Sequence, residues 1–232
     1  MSLVQKIPTE CKAVDRFLGG GIPSASVGLV YGEAETGKTT FVMQCAVNCA
    51  RLGYKTLFVD CDGTFSTRRL CQIASDKDKI AELIILMKPN DFEEQTLVID
   101  NLTDYITKNF GLVIIDTITS LYRLRIAESP SKTFEFNREI NRQLAVLAQI
   151  ARTQKVAVLV TSQVHSVLNE FPVSVQPVAT RVLKFWADLV IGMKPTQTAQ
   201  VVTATLEKNL GKPPPATFEL KIMETGIHDK NA

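Results

Sequence analysis

The sequence predicts an α/β fold in which a twisted, mostly parallel sheet is covered by helices on both faces. Short, continuously apolar runs alternate with segments of helical periodicity, and such runs are typical of parallel strands buried on both faces. The last part of the chain changes character, because its apolar runs follow one another without long helices between them. With 232 residues, of which 45% are hydrophobic, the chain can close one sizeable core. We therefore expect residues 1–232 to form a single domain.

The alternation predicts parallel strands at residues 27–31, 56–60, 83–87, 112–116 and 156–161. Thr9 can cap a short helix that runs through Leu18 and ends at three glycines. Asp91 and Glu94 predict a capping box, which opens a helix running to about residue 109. Apolar residues at helical spacing mark one face of a further helix: Phe136, Ile140, Leu144, Leu147 and Ala151. Strands separated by helices favour right-handed βαβ units.

The C-terminal strands are predicted at residues 189–193, 201–206 and 218–223. A turn signal, Lys212 followed by three prolines, separates the last two of them. Strands joined without a long crossover pair in the antiparallel sense. We expect these strands to extend one edge of the parallel sheet.

The most informative motif lies between the strand at 27–31 and a helical stretch at 40–52. It reads Gly32, Glu33, Ala34, Glu35, Thr36, Gly37, Lys38, Thr39, and Thr40 follows it. The glycines let backbone N–H groups turn towards a phosphate, and the next helix presents its positive dipole end. Lys38 is expected to reach the β- and γ-phosphates of ATP, and Thr39 to coordinate Mg²⁺. A glycine turn with an exposed lysine is the alternative.

Two further strand ends carry carboxylates. Asp116 follows four apolar residues, which places it at the carboxyl edge of a central strand, where a second group for Mg²⁺ belongs. Asp60 and Asp62 end another strand, and Asp62 is a candidate for polarising the water that attacks the γ-phosphate. The alternative is that one of these two aspartates caps the next helix.

Composition excludes several classes of protein. A formal charge of +2, from 26 basic and 24 acidic residues, leaves any DNA-binding surface to a local patch. The five cysteines lack paired spacing, which argues against a disulfide framework or a zinc site, and Cys45 and Cys49 fit buried apolar positions. There is no signal pattern and no run long enough to span a bilayer, so we expect a cytoplasmic protein without membrane partners.

Over nearly its whole length the chain resembles the RecA-type recombinases, and in particular their short archaeal paralogues that have the ATPase core without an N-terminal helical domain. The motifs that carry the resemblance keep their order and spacing. They are residues 18–21 (LGGG), 60–63 (DCDG), 116–120 (DTITS), 122–124 (YRL), 141–144 (NRQL), 161–164 (TSQV), the segment around Trp186, and 204–208 (ATLEK). The resemblance implies a RecA-like P-loop NTPase core.

By this resemblance Asp62 occupies the position of a catalytic glutamate, and Arg69 that of an arginine that stacks on adenine. Gln163 matches a glutamine that senses the γ-phosphate, and Lys208 a residue near a nucleotide interface between subunits. Each has a plainer alternative: a solvated helix residue for Arg69, a strand-end polar group for Gln163, and an exposed cation for Lys208. The resemblance thus adds Asp62, Lys38 and Gln163 as catalytic residues, and Arg69 and Lys208 as nucleotide contacts.

The chain departs from the family pattern at two places. Asp62 is one methylene shorter than glutamate, and a displacement of roughly 1 Å can cost about 10²-fold in rate, so slow hydrolysis is expected. Asn209 and Leu210 stand where the family tends to have basic residues, which weakens the case for transition-state stabilisation by a neighbouring subunit.

Two segments are expected to face DNA, residues 122–133 and 165–180. The first contains Arg123, Arg125 and Lys132, enough for a few phosphate contacts. The second has no basic residue before Arg181. Phe171 in this segment can stack on a base or anchor the segment against the core.

Three functions remain open at this stage. The first is an ATP-binding accessory protein of DNA repair and homologous recombination, which binds single-stranded DNA, assists a recombinase or other recombination proteins, and hydrolyses ATP weakly in a DNA-dependent manner. The second is a KaiC-like regulatory ATPase that does not act on DNA. The third is a nucleotide-bound interaction module without turnover. Because the sequence shows no Phe-x-x-Ala docking tail ahead of the core, we expect heterotypic assembly rather than a long filament, with an oligomer through the nucleotide interface as a further option.

Overall fold

A computed structural model describes residues 5–74, 77–167, 174–177, 179–209 and 216–230. The strands are β1 Lys6–Ile7, β2 Ile22–Pro23, β3 Val27–Gly32, β4 Lys55–Asp60, β5 Ile84–Met87, β6 Phe110–Asp116, β7 Ala157–Val167, β8 Ser174–Pro177, β9 Leu189–Pro195, β10 Val201–Lys208, β11 Ala216–Met223 and β12 Gly226–Asp229. The helices are α1 Lys12–Leu18, α2 Lys38–Arg51, α3 Thr67–Ile73, α4 Lys77–Ala81, α5 Phe92–Asp100, α6 Leu102–Tyr105, α7 Ser120–Glu128, α8 Thr133–Gln154 and α9 Thr180–Trp186. A 3-10 turn, Pro130–Lys132, joins α7 to α8.

The main sheet has the strand order β12-β11-β10-β9-β3-β7-β6-β4-β5, with β8 paired to β7. The strands from β9 to β5 are parallel, and β9 to β12 are antiparallel. This arrangement confirms the predicted α/β fold and its antiparallel extension. The register pairs Gly32 with Gln163 and Asp60 with Asp116, so four strand ends meet at one edge.

Each face of the sheet has its own hydrophobic core. One core packs α5, α8 and α9 against the sheet, and it buries all five residues of the predicted α8 face. The opposite core packs α1 and α2, and contains Cys45 and Cys49 as buried apolar residues. Burial on both faces explains why the central strands read as continuous apolar runs.

Gln44 lies on α2, the helix that follows the phosphate loop, and it hydrogen-bonds two parts of the chain that are distant in sequence. Its Nε2 donates to the carbonyl oxygens of Thr9, at 2.7 Å, and Ile227, at 2.9 Å, and its Oε1 accepts from the N–H of Ile227 at 2.7 Å. The side chain is fully buried. Because buried amide groups are stable only when they are hydrogen-bonded, Gln44 fixes the β11–β12 turn and the N-terminal segment relative to α2.

The structure corrects several predicted boundaries. Thr9 does not cap α1, which begins at Lys12; instead the Asp15 carboxylate accepts the N–H groups of Thr9 and Glu10, while Gly19 in the left-handed conformation ends the helix as predicted. The N-terminal cap of the helix after Asp91 is present, since Asp91 accepts from the N–H of Glu94 at 2.7 Å. The helix prediction to residue 109 was wrong.

The reason is a break after Asp100. Asn101, whose N–H bonds the carbonyl of Leu97, separates α5 from the four-residue α6, and a turn closed by the Phe110 N–H and the Thr107 carbonyl follows. The strand predicted at 83–87 begins at Ile84 and lies at the sheet edge, where Ile85 and Leu86 are each 37% exposed. The short strands β1, β2, β8 and β12 were not predicted, because two to four residues carry no readable periodicity.

Two predicted features fall beyond this description. The turn signal at residues 212–215 and Phe171 lie outside the described residues. Within the described ranges, no helix has the length and apolar character needed to cross a bilayer.

Substitution of Gly226 tests the Gln44 contact. Gly226 has a φ of 126°, and an added Cβ would stand 2.1 Å from Gln44 Oε1, so Gly226→Ala should lower the unfolding free energy by about 2–4 kcal/mol. The matched control is Gly20→Ala, with a φ of 118° but its nearest neighbour at 3.6 Å, which should cost about 1–2 kcal/mol. Urea unfolding of both variants measures the difference, and equal losses would contradict a role for the clash with Gln44.

Candidate nucleotide site

The phosphate-loop motif forms a tight turn between β3 and α2. Gly37 has a φ of 84°, a left-handed conformation that glycine adopts without strain, and its missing side chain leaves room for Ile222 and Ile227 of the β11–β12 hairpin. The Thr36 hydroxyl donates to the carbonyl of Glu33 at 2.9 Å. A cavity of about 260 Å³ opens above the start of α2, lined by Glu35, Gly37, Lys38, Thr39, Thr40 and Ile222. The loop therefore presents the helix start to an open space, as an anion site requires.

Lys38 is nearly buried at the beginning of α2, with 8% of its surface exposed. Its Nζ donates to the carbonyl of Glu33 at 2.6 Å. Burial lowers the pKa of Lys38, and the nearby charges of Asp116, Asp62 and Glu33 oppose that shift. The ammonium group therefore lies inside the loop, close to the carboxylates of Asp116 at the end of β6 and of Asp62 just after β4.

Asp116 is the most constrained group in the site. It is 1% exposed, one of its oxygens accepts a hydrogen bond from the Thr161 hydroxyl, and Oδ2 has no hydrogen-bond partner among the described residues. Burial raises the pKa of Asp116 from 3.8 to about 6; the hydroxyls of Thr161 and Thr39 lower it, and Asp62 and Asp60 raise it. An unpaired buried carboxylate oxygen beside the Thr39 hydroxyl fits Mg²⁺, which binds hard oxygen ligands.

Asp60 and Asp62 separate into two roles. Asp60 accepts the N–H groups of Thr64, at 2.9 Å, and Phe65, at 3.1 Å, and thereby fixes the turn after β4. Asp62 is partly exposed and accepts a hydrogen bond from the Thr117 hydroxyl, next to Asp116. Asp60 is therefore engaged in the turn, whereas Asp62 lies close to Lys38; its role in polarising water stays a prediction.

Gln163 lies beside the phosphate loop, since its position on β7 pairs with Gly32. Its Oε1 accepts a hydrogen bond from Arg123 Nη1 at 2.8 Å, which links β7 to α7. The neighbouring Ser162 and Thr119 hydroxyls lie 3.2 Å apart and join the same two elements. The chain thus contains a polar connection from the loop to the segment at 122–133.

Arg69 is held in place rather than freely solvated. Its guanidinium donates to the carbonyl oxygens of Met223, at 2.7 Å, and Glu224, at 2.8 Å, in the β11–β12 turn. Burial lowers the pKa of Arg69, and Glu224 opposes the shift. The same hairpin contributes Ile222 to the loop cavity, so Arg69 and the phosphate loop share one supporting element. Its stacking on adenine stays a prediction.

Lys208 is not brought to the phosphate loop of its own chain. It pairs with Val190 near the beginning of β9, whereas Gly32 pairs with Met193 further along that strand. Its Nζ donates to the carbonyl oxygens of Lys184 and Ala187 at the end of α9. A positive charge at a helix C-terminus is stabilising. Contact with a neighbouring subunit's nucleotide stays a prediction.

The first segment expected to face DNA is mostly helical. Arg125 pairs with Glu93 at 2.8 Å and Glu128 at 3.2 Å, and Arg123 binds Gln163, while Lys132 is exposed. Fewer cations are therefore available for phosphate contacts than the sequence suggests. Arg181, which directly follows the second segment at the start of α9, is exposed.

Sequence reasoning missed the hydroxyl groups that support the carboxylates. Thr161 and Thr117 bind Asp116 and Asp62, and Arg123 binds Gln163. The only available signal was a threonine at the end of one predicted strand, Thr161, and another directly after a second strand, Thr117; it is weak because such residues are common at strand ends.

The fold and the loop define a RecA-like ATPase-type domain, which confirms the predicted fold class. The family model described as Rad51 matches residues 2–230, and the chain belongs to this family. It is 31% identical over 224 residues to a protein of Methanosphaera stadtmanae named DNA repair and recombination protein RadB, with 95% of this chain and 94% of that protein covered.

A protein of the same name from Methanobrevibacter smithii is 32% identical over 229 residues, with 96% of this chain and 95% of that protein covered. A solved structure described as the RadB recombinase superposes with a TM-score of 0.82 at 32% identity, and covers 96% of this chain and 99% of that one. The resemblance inferred from the motifs is thereby confirmed.

Replacement of Asp116 tests the cost of its burial. In the folded protein the pKa of Asp116 lies above its ordinary value, so the neutral carboxyl group is favoured by folding. The resulting contribution to the unfolding free energy is fully present below about pH 4 and is lost as the pH rises through 6. Without nucleotide, Asp116→Asn should raise the unfolding free energy at pH 8 by about 1–3 kcal/mol, and the gain should vanish near pH 4.

Urea titrations at pH 4, 6 and 8 measure the effect. Asp104→Asn, at an exposed position of α6, serves as the control that should stay within about 0.5 kcal/mol of the parent protein at each pH. A loss of stability in Asp116→Asn at pH 8 would contradict the raised pKa.

Proposed function

We propose that this protein is an ATP-binding DNA repair and recombination protein that binds single-stranded DNA, assists a recombinase and hydrolyses ATP weakly. The observation that carries the proposal is that Lys38 and Thr39 line the loop cavity while the carboxylates of Asp116 and Asp62 lie close to Lys38, a set of groups suited to a triphosphate with Mg²⁺. Membership of the Rad51 family and the names of its relatives support the DNA repair role.

The residues divide the work of binding. The N–H groups at the start of α2 and the Lys38 ammonium attract phosphate oxygens, and Lys38 exchanges the Glu33 carbonyl for them. Thr39 and Asp116 would hold Mg²⁺ through a hydroxyl and a carboxylate oxygen, and the cation would offset phosphate charge when bound. The unpaired buried carboxylate oxygen of Asp116 would then have a cation beside it, which would offset the cost of its burial.

Hydrolysis requires a base that orients and deprotonates water. The hydrogen bond from the Thr117 hydroxyl supports Asp62 in this role, and aspartate reaches about one methylene less far than glutamate. We therefore expect slow turnover.

Gln163 offers a route from nucleotide to DNA. It lies next to Gly32 and binds Arg123, which belongs to the segment expected to face DNA. A side chain that turns from Arg123 to a γ-phosphate would release the arginine. We propose that ATP binding thereby alters DNA affinity, as an order–disorder switch would.

A second candidate is the KaiC-like regulatory ATPase that does not act on DNA. The pairing of Arg125 with two glutamates favours it, because those contacts remove a cation from the first DNA-facing segment. The nucleotide-bound interaction module would result if Asp62 supported no hydrolysis at all.

The first proposal includes contact between subunits at the nucleotide. In that case Lys208 would leave the carbonyl groups at the end of α9 and reach the nucleotide of a neighbouring subunit.

The proposal is tested by fluorescence anisotropy of a labelled single-stranded oligonucleotide, with and without ATP and Mg²⁺, at 50 and 200 mM salt. We expect salt-dependent binding, because phosphate contacts release counterions, and an ATP effect that Lys38→Ala abolishes together with ATP binding. Lys12→Ala, at the start of α1, is the matched control and should behave as the parent protein. Absent DNA binding in both nucleotide states would favour the regulatory ATPase, and retained ATP affinity in Lys38→Ala would refute the loop assignment.

Substitution of Asp62 by glutamate tests the limit on turnover. If reach is limiting, Asp62→Glu should raise the ATPase rate by about tenfold or more, whereas Asp62→Asn should remove activity. Phosphate release under single-turnover conditions measures both. A lower rate in Asp62→Glu than in the parent protein would mean that the site is built around aspartate.

A further inference from the structure

A second surface lies on the α5, α7 and α8 side of the sheet and takes no part in the nucleotide site. Two adjoining cavities, of about 490 and 480 Å³, share Phe92 and Glu93 of α5. The first continues to Leu121 and Leu124 on α7, and the second to Leu97 on α5 and Phe136 on α8. We call these two cavities the α5–α8 groove.

The floor of the groove is apolar and rigid. Phe92 and Phe136 are both buried, and their rings meet edge to face with centroids 6.2 Å apart. Around this floor, Leu97 and Leu124 are each 60% exposed. Large aliphatic side chains that are exposed beside a preformed concave surface are typical of a protein-binding site.

The rim of the groove is acidic. Its carboxylates are Asp91, Glu93, Glu128, Glu135 and Glu139. Among the described residues that line the two cavities, Arg125 is the one cation, and it pairs there with Glu93 and Glu128. An acidic rim on a chain whose formal charge is +2 is a local feature of this surface.

Arg125 also joins the two cavities. Its guanidinium lies 5.6 Å from the centroid of the Phe136 ring, between α7 and α5. This position covers the aromatic floor on one side with a cation. Of the other rim carboxylates, Glu139 pairs with Arg142 at 2.7 Å and Asp91 accepts the Glu94 N–H, which leaves Glu135 for an incoming partner. Glu135 forms no ion pair within the described part of the chain.

We propose that the α5–α8 groove binds a segment of a partner protein in which a bulky apolar side chain is flanked by lysine or arginine. The apolar anchor fits the floor formed by Phe92, Phe136 and Leu97, and the flanking cations complement the rim. Anchors in pockets supply most of the affinity at such surfaces, and complementary charges supply specificity and association rate. Nucleic acid is repelled by the same carboxylates, so the part of the segment 122–133 that lines the groove is assigned to a protein partner and not to DNA.

The probe is a fluorescein-labelled 16-residue amphipathic peptide with leucine and phenylalanine at positions i, i+3 and i+7 and with lysine and arginine elsewhere. We expect saturable anisotropy with the full chain, and at least about tenfold weaker binding in Leu97→Ser and in Glu135→Lys. Both residues are exposed, so the variants should fold, and their circular dichroism and ATP binding should match the parent protein.

Matched controls separate the groove from general stickiness. Leu52→Ser at the end of α2 and Glu82→Lys before β5 make the same chemical changes at exposed positions outside the groove, and should leave peptide affinity unchanged. A peptide of the same apolar pattern with glutamate in place of its cations should not bind. Absence of saturable binding, equal affinity in Leu97→Ser and the parent protein, or occupation of the groove by a second copy of this chain in a cross-linking experiment would each overturn the proposal.

Discussion

The parallel register of the central strands is the constraint on which the rest of this molecule depends. Because β3, β4, β6 and β7 run the same way, Gly32, Asp60, Asp116 and Gln163 all end at one edge of the sheet. Residues up to about 130 positions apart in sequence thereby become neighbours without any loop having to place them. The polar groups at this edge therefore lie directly beside a core whose strands are apolar along their length.

That site is maintained against an electrostatic cost. Asp116 is buried with an oxygen left unpaired, and the Lys38 ammonium is desolvated beside it. Burial of unpaired charge disfavours the folded state, and the hydroxyls of Thr161 and Thr39 recover only part of that cost. On the opposite face of the sheet, the hydrogen bonds from Gln44 to Thr9 and Ile227 fix the position of α2, the helix that follows the phosphate loop.

The proposed nucleotide site and the α5–α8 groove lie on different surfaces. The carboxyl edge of the sheet has the groups proposed to bind a triphosphate, and the Gln163–Arg123 hydrogen bond leads from there to α7. The next basic residue on α7, Arg125, turns instead to Glu93 and Glu128 at the rim of the α5–α8 groove. One helix therefore borders both the nucleotide-linked surface and the groove.

The sequence by itself determined the sheet type, the phosphate loop and the candidate carboxylates, because apolar runs and the glycine-lysine spacing are local signals. It also predicted the α8 face, since helical periodicity persists over 22 residues. Only the tertiary structure showed that Asp60 binds the N–H groups of the turn after β4 while Asp62 binds Thr117, and that Arg69 is held by the β11–β12 turn. It alone showed that the Lys208 side chain, on β10, bonds the C-terminal end of α9. These outcomes depend on contacts between residues distant in sequence, which no local pattern encodes.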